Sequence, residues 1–193
     1  MNPSPIILAS TSVYRRMLLT RLGLTFDCVR PDCAEDPLPD ENPHNLVARL
    51  SEAKARSVAV HHPGAIVIGS DQVAVLDHQV MGKPLTIENA VAQLRQASGR
   101  QVVFYTGVCC LGGLDDCQVD VVLTWVHFRT LNVDTIDRYV ARDLPLDCAG
   151  SFKSEGLGIT LFEKMGGDDP TALMGLPLMR LCRMLEQAGV TIY

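Results

Sequence analysis

Several features are missing from this 193-residue sequence, and each absence excludes a class of protein. No run of about 18 apolar residues is present, so we expect no membrane-spanning helix and no membrane partner. The N-terminus lacks the charged-then-apolar layout of a signal peptide, and we therefore expect a cytoplasmic protein. The seven cysteines form no C-x-x-C pair and no Cys/His group at zinc spacing, so we expect most of them to be small buried hydrophobes.

The sequence also lacks a surplus of basic residues. Its formal net charge is −5, and basic residues do not interleave with aromatic ones, so we expect no nucleic-acid partner. The charge is unevenly placed, because residues 1–30 hold four arginines whereas residues 32–41 hold five acids and no lysine or arginine. A basic patch before an acidic loop is typical of a phosphate site supplied with a divalent cation. It is equally typical of a solvated loop.

What is present predicts a single α/β domain over residues 1–193. Hydrophobic residues make up 47% of the chain, and a chain of this length buries roughly 70% of its unfolded surface without a disulfide or a metal. Periodicity and capping residues predict helices at 13–22, 43–60, 86–98, 133–141 and 178–188. Strands are predicted at 6–9, 25–29, 65–69, 73–76, 101–111 and 119–129, the last two as a hairpin through Gly112 and Gly113. Because helices and strands interleave, the sheet is predicted to be mixed.

Residues 6–16 join a short apolar run to a hydroxyl-rich turn and then to a helix that begins with two arginines. Helix N-termini present unpaired N–H groups and a partial positive charge, and the guanidinium groups of Arg15 and Arg16 add donors that match phosphate oxygens. This order predicts a phosphate site. A plain helix cap followed by a solvated face uses the same residue types, so the segment alone leaves both interpretations open.

Asp71 is the residue that the sequence favours for chemistry. It ends a predicted apolar strand, and the carboxyl ends of strands in open α/β sheets gather ligands. The alternative is an aspartate that caps a turn. Lys83, in a Gly-Lys-Pro turn, is able either to reach a phosphate or simply to keep its loop soluble. His61 and His62 are adjacent on a predicted loop, and neighbouring residues there seldom converge on one metal ion.

In their order and spacing, the motifs of this chain resemble those of the Maf family of nucleoside triphosphate pyrophosphatases. The resemblance covers nearly the whole sequence, and its pieces are Leu-Ala-Ser-Thr-Ser with the double arginine at 8–16, the acidic loop carrying Glu35, Ser-Glu-Ala-Lys at 51–54, Gly-Ser-Asp-Gln at 69–72, Gly-Lys-Pro at 82–84, Tyr-Thr-Gly at 105–107, Cys-Ala-Gly-Ser-Phe at 148–152, and Asp-Pro-Thr at 169–171 leading to Gly-Leu-Pro-Leu at 175–178. Each piece is weak alone, whereas together they are specific.

The resemblance implies an elongated, mixed-sheet Maf/ITPase-like fold with two lobes around a cleft. It implies hydrolysis of a nucleoside triphosphate to the monophosphate and diphosphate, a divalent metal cofactor (Mg²⁺ or Mn²⁺), and a possible homodimer. Carried over by matching motif, Asp71 is the proton acceptor, and Glu35 with Asp71 would hold the metal. The residues implied to bind phosphate are Ser10, Arg15, Arg16, Lys54 and Lys83. Val13 departs from the family, many of whose members have proline there, so the turn before Arg15 is less rigid.

Three positions bear on the choice of base. Tyr14, Gln72 and Glu155 resemble the branch that acts on 7-methyl-GTP, whereas the branch acting on dTTP and UTP has arginine, threonine and glutamine. Methylation at N7 gives guanine a positive charge, which stacks favourably on an aromatic ring, and a carboxylate accepts hydrogen bonds from its Watson–Crick edge. Tyrosine is a weaker platform than the tryptophan common in that branch, which loosens the expected selectivity.

Other interpretations remain open at this point. Tyr14 is also compatible with an aromatic residue on a helix surface, and Glu155 with a solvated loop acid. The alternatives at the level of function are a dTTP/UTP pyrophosphatase of the same family and a nucleotide-responsive regulator of cell division. The 7-methyl-GTP branch would instead serve to remove non-standard nucleotides from the pool.

Overall fold

The computed structural model describes residues 4–113 and 117–193. Within those residues, five α-helices are interspersed among seven strands, with three short 3-10 helices in the last third of the chain. The strands are β1 (Ile6–Leu8), β2 (Asp27–Cys28), β3 (Ile66–Leu76), β4 (Gln79–Met81), β5 (Gln101–Leu111), β6 (Cys117–Phe128) and β7 (Phe162–Gly167). The helices are α1 (Val13–Thr20), α2 (Pro43–Ala59), α3 (Ile87–Ala97), α4 (Val133–Asp143) and α5 (Leu178–Gln187). The α/β class predicted from the sequence is confirmed.

The seven described strands form one mixed sheet in the order β2-β1-β3-β5-β6-β7, with β4 paired to the end of β3. β1 is parallel to both of its neighbours, and every other pair is antiparallel. The predicted hairpin is confirmed, because β5 and β6 pair from Gln101 with His127 to Leu111 with Cys117. Part of its connection, residues 114–116, lies outside the described residues.

The core is divided between the two ends of the long central strands, which gives the fold its two lobes. In the first lobe, Ile68 of β3 packs with α1 and α5 on one face of the sheet, whereas Val67 packs with α2 on the other. In the second lobe, Ala74 of β3 and Phe104 of β5 pack with α3, α4 and the ring of Phe152. Residues 70–72 of β3 therefore lie between the two apolar clusters. Polar side chains at this position do not interrupt the packing of either cluster.

The prediction that Asp71 ends a strand was wrong. β3 runs without interruption for 11 residues, and Asp71 lies in its middle, opposite Gly107 of β5. The polar residues 70–72 interrupt the apolar pattern, and the prediction therefore divided one strand into two. In the structure these residues keep an extended backbone, and their side chains enter polar surroundings. The neighbouring strand β1 nevertheless ends opposite Ile68, so the sheet is open on that side beside Asp71.

Three smaller differences from the sequence prediction concern short elements. β4 and β7 were not predicted as strands, and the predicted strand at 25–29 is reduced to two residues. β7 ends in Gly166 and Gly167, and a Cβ on Gly166 would overlap the ring of Trp125 on β6. A strand that pairs through glycines has no side-chain alternation for the sequence to reveal. No helix of the described segments is long and apolar enough to cross a membrane.

Two glycines let α2 lie directly on the sheet. A Cβ on Gly69 would overlap the carbonyl oxygen of Ser51, and one on Gly107 would overlap the carbonyl oxygen of Val47. At these two positions the backbone of α2 lies directly against the backbone of the strands. This close approach sets the height of α2 above β3, and α2 carries Lys54.

We expect Gly69→Ala to lower the free energy of unfolding by about 1–3 kcal/mol or more, because the added methyl forces α2 away from the sheet. Urea denaturation followed by circular dichroism measures this change. Gly82→Ala is the matched control, since a Cβ there meets no atom within 4 Å. An unchanged midpoint for Gly69→Ala would show that α2 shifts without cost.

Candidate active site

The N-terminus of α1 forms the first wall of the site. Ser12 caps the helix, with its hydroxyl accepting a hydrogen bond from the Arg15 amide at 3.4 Å. Ser10 is buried, and its hydroxyl accepts from the amide of Ser12 at 3.1 Å. The hydroxyl-rich turn is therefore folded upon itself at the end of β1. It presents the positive end of α1 to the open edge of the sheet.

Arg15 is held in place by the chain segment before α5. Its Nε donates to the carbonyl oxygen of Gly175 at 2.9 Å, and the hydroxyl of Ser70 lies 2.9 Å from the same oxygen. Gly175 has a φ of 102°, which favours glycine, so the Gly-Leu-Pro-Leu motif serves to aim this carbonyl. With Nε engaged, the terminal nitrogens of the guanidinium are the donors that remain for a ligand.

A partly buried cluster of three charges lies beside this wall. The Lys54 ammonium donates to Oδ1 of Asp71 at 2.6 Å and to Oε2 of Glu35 at 3.0 Å. Lys54 and Asp71 are both buried, whereas the Glu35 side chain is 61% exposed. Two carboxylates from distant parts of the chain thus converge on one cation. A divalent metal would have to bind the carboxylate oxygens of Glu35 and Asp71 that Lys54 leaves free.

The spacing of Ser51 and Lys54 on α2 explains how the cluster is built. These residues lie three apart and so share one helix face, which packs on β3. The Ser51 hydroxyl donates to the Val47 carbonyl at 2.6 Å and accepts from the Asp71 amide at 3.0 Å. The Ser-Glu-Ala-Lys motif therefore fixes α2 against the backbone of Asp71 and places the lysine over its carboxylate.

A cavity of about 610 Å³ opens above this cluster. This volume lies within the range of small-molecule sites. We call it the larger cavity, and its wall includes Ser10, Ser12, Tyr14, Arg15, Glu35, Lys54, Lys83 and Asp147. Four cationic side chains and the N-terminus of α1 contribute to one concave surface, which also carries three acids. Such a surface is suited to a polyanion.

A second, smaller cavity adjoins the first. We call it the smaller cavity, and its wall includes Ser12, Tyr14, Arg15, Gln72, Lys83, Phe104, Asp147, Cys148, Phe152 and Glu155. It combines aromatic rings with side chains that accept hydrogen bonds. Those are the groups that a planar, hydrogen-bonding base requires.

Gln72 has its amide nitrogen fully engaged on the floor of the smaller cavity. Nε2 donates to the hydroxyl of Thr106 at 2.9 Å and to the carbonyl of Ala172 at 2.8 Å. The Gln72 carbonyl oxygen is the group left to face a ligand, as an acceptor. A threonine here would be too short to make both contacts and would offer a hydroxyl in place of the amide oxygen.

Burial and nearby acids shift several pKa values around the two cavities. Burial lowers the pKa of the Arg15 guanidinium, while the negative charges of Asp71 and Glu35 act in the opposite direction. Burial raises the pKa of Tyr14 well above its usual range, and Cys148 and Asp147 raise it further. Burial and Asp147 raise the pKa of the Cys148 thiol to about 12. Tyr14 and Cys148 are therefore neutral at physiological pH.

Comparison with known proteins decides the family. Residues 5–188 match the family described as "Maf-like protein". The chain belongs to the Maf family. A relative from Nitrosococcus oceani named "7-methyl-GTP pyrophosphatase" is 54% identical over 98% of this chain and 96% of its own. A relative of the same name from Aromatoleum aromaticum is 51% identical over the full length of both chains.

The chain was also compared with solved structures, and one of the matches spans nearly its whole length. It is a nucleoside-triphosphatase, a dITP/XTP pyrophosphatase from Mycobacterium abscessus, with a TM-score of 0.46 and 15% sequence identity. The similarity covers 96% of this chain and 95% of the other.

The site residues predicted from the Maf motifs lie in the walls of the two cavities, with two exceptions, and the role of each stays a prediction. Asp71 is not among the wall residues of either cavity, and it reaches the larger one through Lys54. Arg16 is exposed and also lies outside both walls, so its role in phosphate binding stays a prediction. Sequence reasoning missed Asp147 and Cys148 as wall residues. The Cys-Ala-Gly-Ser-Phe motif was the signal that pointed toward them.

The Asp-Pro-Thr motif of this Maf chain has a structural role in the described structure. The carboxylate of Asp169 accepts from the Thr171 amide at 2.9 Å and from the Met179 amide at 2.8 Å. The Thr171 hydroxyl accepts from the Leu178 amide at 2.8 Å. Together these bonds cap α5 and close the segment that carries Gly175.

Proposed function

We propose that this Maf protein hydrolyses 7-methyl-GTP to 7-methyl-GMP and diphosphate, and so removes a non-standard nucleotide from the pool. The names of its full-length relatives support the reaction. The observation that carries the proposal is the continuity of the two cavities along α1. A cation-rich wall for phosphates and an aromatic, acceptor-rich wall for a base meet at Tyr14 and Arg15.

The smaller cavity supports guanine over thymine or uracil. The Watson–Crick edge of guanine carries donors on N1 and on the exocyclic amine, and it needs two acceptors. The Gln72 carbonyl and the Glu155 carboxylate supply them, whereas a pyrimidine with its one N–H donor would leave one unpaired. The positive charge of a base methylated at N7 is favoured by the Tyr14 ring and by the acids around it, by about 0.5–2 kcal/mol for the ring.

The larger cavity is assigned to the triphosphate. Arg15, Lys83 and the N-terminus of α1 neutralise its charge, which otherwise repels an incoming water. Glu35 and Asp71 would hold Mg²⁺ or Mn²⁺. No group of three His, Cys, Asp or Glu side chains in the described part of the chain is arranged to hold a metal, but Mg²⁺ commonly takes only one or two carboxylates and completes its shell with phosphate oxygens and water. When bound, the cation supplies acidification of the attacking water.

Asp71 is the group that takes the proton of the attacking water. Its carboxylate is fixed by the rigid centre of β3 and by the contact between Ser51 and the Asp71 amide. Lys54 lies between this carboxylate and the larger cavity, so its ammonium is within reach of both. With substrate present, we expect Lys54 to share its donors with the phosphates and to free an oxygen of Asp71 for the water.

The function is tested by measuring diphosphate release from 7-methyl-GTP, GTP, dTTP and UTP under one metal condition, with Mg²⁺ or Mn²⁺ and again with excess chelator. We expect fastest release from 7-methyl-GTP and loss of activity with chelator. Preference for dTTP and UTP would assign the protein to the other branch. Nucleotide binding without turnover would instead favour a nucleotide-responsive regulator, and activity in chelator would remove the metal from the proposal.

We expect Glu155→Gln to lower kcat/KM for 7-methyl-GTP by about tenfold or more, because hydrogen bonds to a charged group contribute about 1.5–3 kcal/mol. The effect on dTTP should be smaller, since its base offers one donor instead of two. Steady-state kinetics on both substrates measure the difference. Equal losses would remove Glu155 from base recognition.

A further inference from the structure

The two cavities share part of their wall. Five residues line both, and they are Ser12, Tyr14, Arg15, Lys83 and Asp147. In a nucleotide, the sugar is the only link between base and phosphates. If the base occupies the smaller cavity and the phosphates the larger one, the sugar must lie along this shared wall.

Asp147 differs chemically from the other shared residues. Arg15 and Lys83 only donate hydrogen bonds, and both carry the charge that suits phosphate. The Ser12 hydroxyl already accepts from the Arg15 amide. A carboxylate only accepts hydrogen bonds, and each ribose hydroxyl is able to donate one to it. Acidic side chains bind ribose 2′-hydroxyls in dinucleotide folds for this reason.

The position of Asp147 is set by the backbone around it. It follows Leu146, whose carbonyl accepts from the Leu85 amide at 3.1 Å, so its loop is tied to the loop that carries Lys83. The thiol of Cys148 lies 3.5 Å from Oδ1 of Asp147. Oδ2 of Asp147 accepts no hydrogen bond from the described parts of the chain, and the side chain is exposed at the mouth of the cavities.

We propose that Asp147 binds the ribose hydroxyls of the nucleotide, which makes this site selective for ribonucleotides over 2′-deoxyribonucleotides. The inference rests on the proposed function, because it takes the two cavities as one nucleotide site. It assigns to Asp147 a contact with the sugar that is separate from base recognition by Tyr14, Gln72 and Glu155. Simple attraction between Asp147 and a positively charged base would act on both sugars alike.

Equilibrium binding separates these possibilities. The probes are 7-methyl-GTP and its 2′-deoxy form, each with an α,β-methylene bridge that blocks hydrolysis, titrated with Mg²⁺ by isothermal calorimetry. We expect the wild-type protein to bind the ribonucleotide about 10- to 100-fold more tightly. In Asp147→Ala that ratio should fall below about threefold, through loss of affinity for the ribonucleotide alone.

Two further variants serve as controls. Asp134→Asn changes an exposed acid on α4 outside both cavity walls and should keep the wild-type ratio. Glu155→Gln should weaken binding of both sugars equally, because it acts on the base. Thermal unfolding of Asp147→Ala should match that of the wild type, since the side chain is exposed.

The inference is overturned if the wild-type protein binds both sugars equally, or if Asp147→Ala keeps the preference for ribose. A preference for another base would contradict the proposed function, and the ratio would then be measured on that base as UTP against dUTP or GTP against dGTP. The same fall in the ratio would still support the role of Asp147. Absence of any nucleotide binding would overturn both proposals.

Discussion

Asp71→Asn is expected to lower turnover of 7-methyl-GTP by about 10²- to 10⁴-fold while nucleotide binding is retained. The asparagine keeps the size of the side chain and one oxygen toward Lys54, and Lys54 keeps its ion pair with Glu35. The protein should therefore fold, but the side chain no longer accepts a proton from water. Diphosphate release and calorimetric binding measure the two properties separately.

The matched control for Asp71→Asn is Asp27→Asn, which changes an exposed aspartate at the edge of the same sheet. We expect this variant to retain wild-type turnover. Unchanged turnover in Asp71→Asn would overturn the assignment of Asp71 as the proton acceptor. A loss of binding as large as the loss of turnover would leave Asp71 only the role of metal ligand and would remove its assignment as the proton acceptor.

The second large effect is expected for Arg15→Ala, with a fall of about 10²- to 10³-fold in kcat/KM. Arg15 lies in the wall of both cavities, and its Nε bond to Gly175 aims the remaining donors inward. Removing it takes away a fixed positive charge where negative charge develops. Steady-state kinetics with 7-methyl-GTP measure the loss.

Arg16→Ala is the natural comparison, because it removes the same group from the next position of α1. The Arg16 side chain is exposed and lies outside both walls, and exposed charges are screened at physiological salt. We expect a loss below about fivefold. Equal losses in the two variants would show that α1 turns when substrate binds and brings both arginines to the phosphates.

Much of the fold could be predicted from local patterns. The predicted starts of α1, α2 and α3 are confirmed to within one residue. Each start is set by a local interaction, in which the side-chain oxygen of Ser12, Asn42 or Thr86 accepts a hydrogen bond from a nearby amide. The hairpin of β5 and β6 was also predicted, from its two long apolar runs. β4 and β7 were missed because their pairing depends on strands elsewhere in the chain.

The candidate site was predicted unevenly for a similar reason. The motifs named Lys54, Glu35 and Asp71 but gave no sign that one lysine joins the two acids, since those residues come from a helix, a loop and a strand. Asp147 was not identified at all. Asp147 directly precedes the Cys-Ala-Gly-Ser-Phe motif, but its position in the wall shared by the two cavities depends on contacts between distant segments.

The sequence by itself determined the helices, the hairpin of β5 and β6, the family, and the types of side chain that the proposed chemistry requires. Those properties depend on neighbours along the chain and on motif order. The tertiary structure alone decided that Asp71 lies inside β3 rather than at its end, that Arg15 and not Arg16 lines the cavities, and that the two cavities share one wall. The physical reason is that these outcomes depend on how closely α2 packs on the glycines of the sheet and where β1 stops beside β3, which are contacts between segments far apart in sequence.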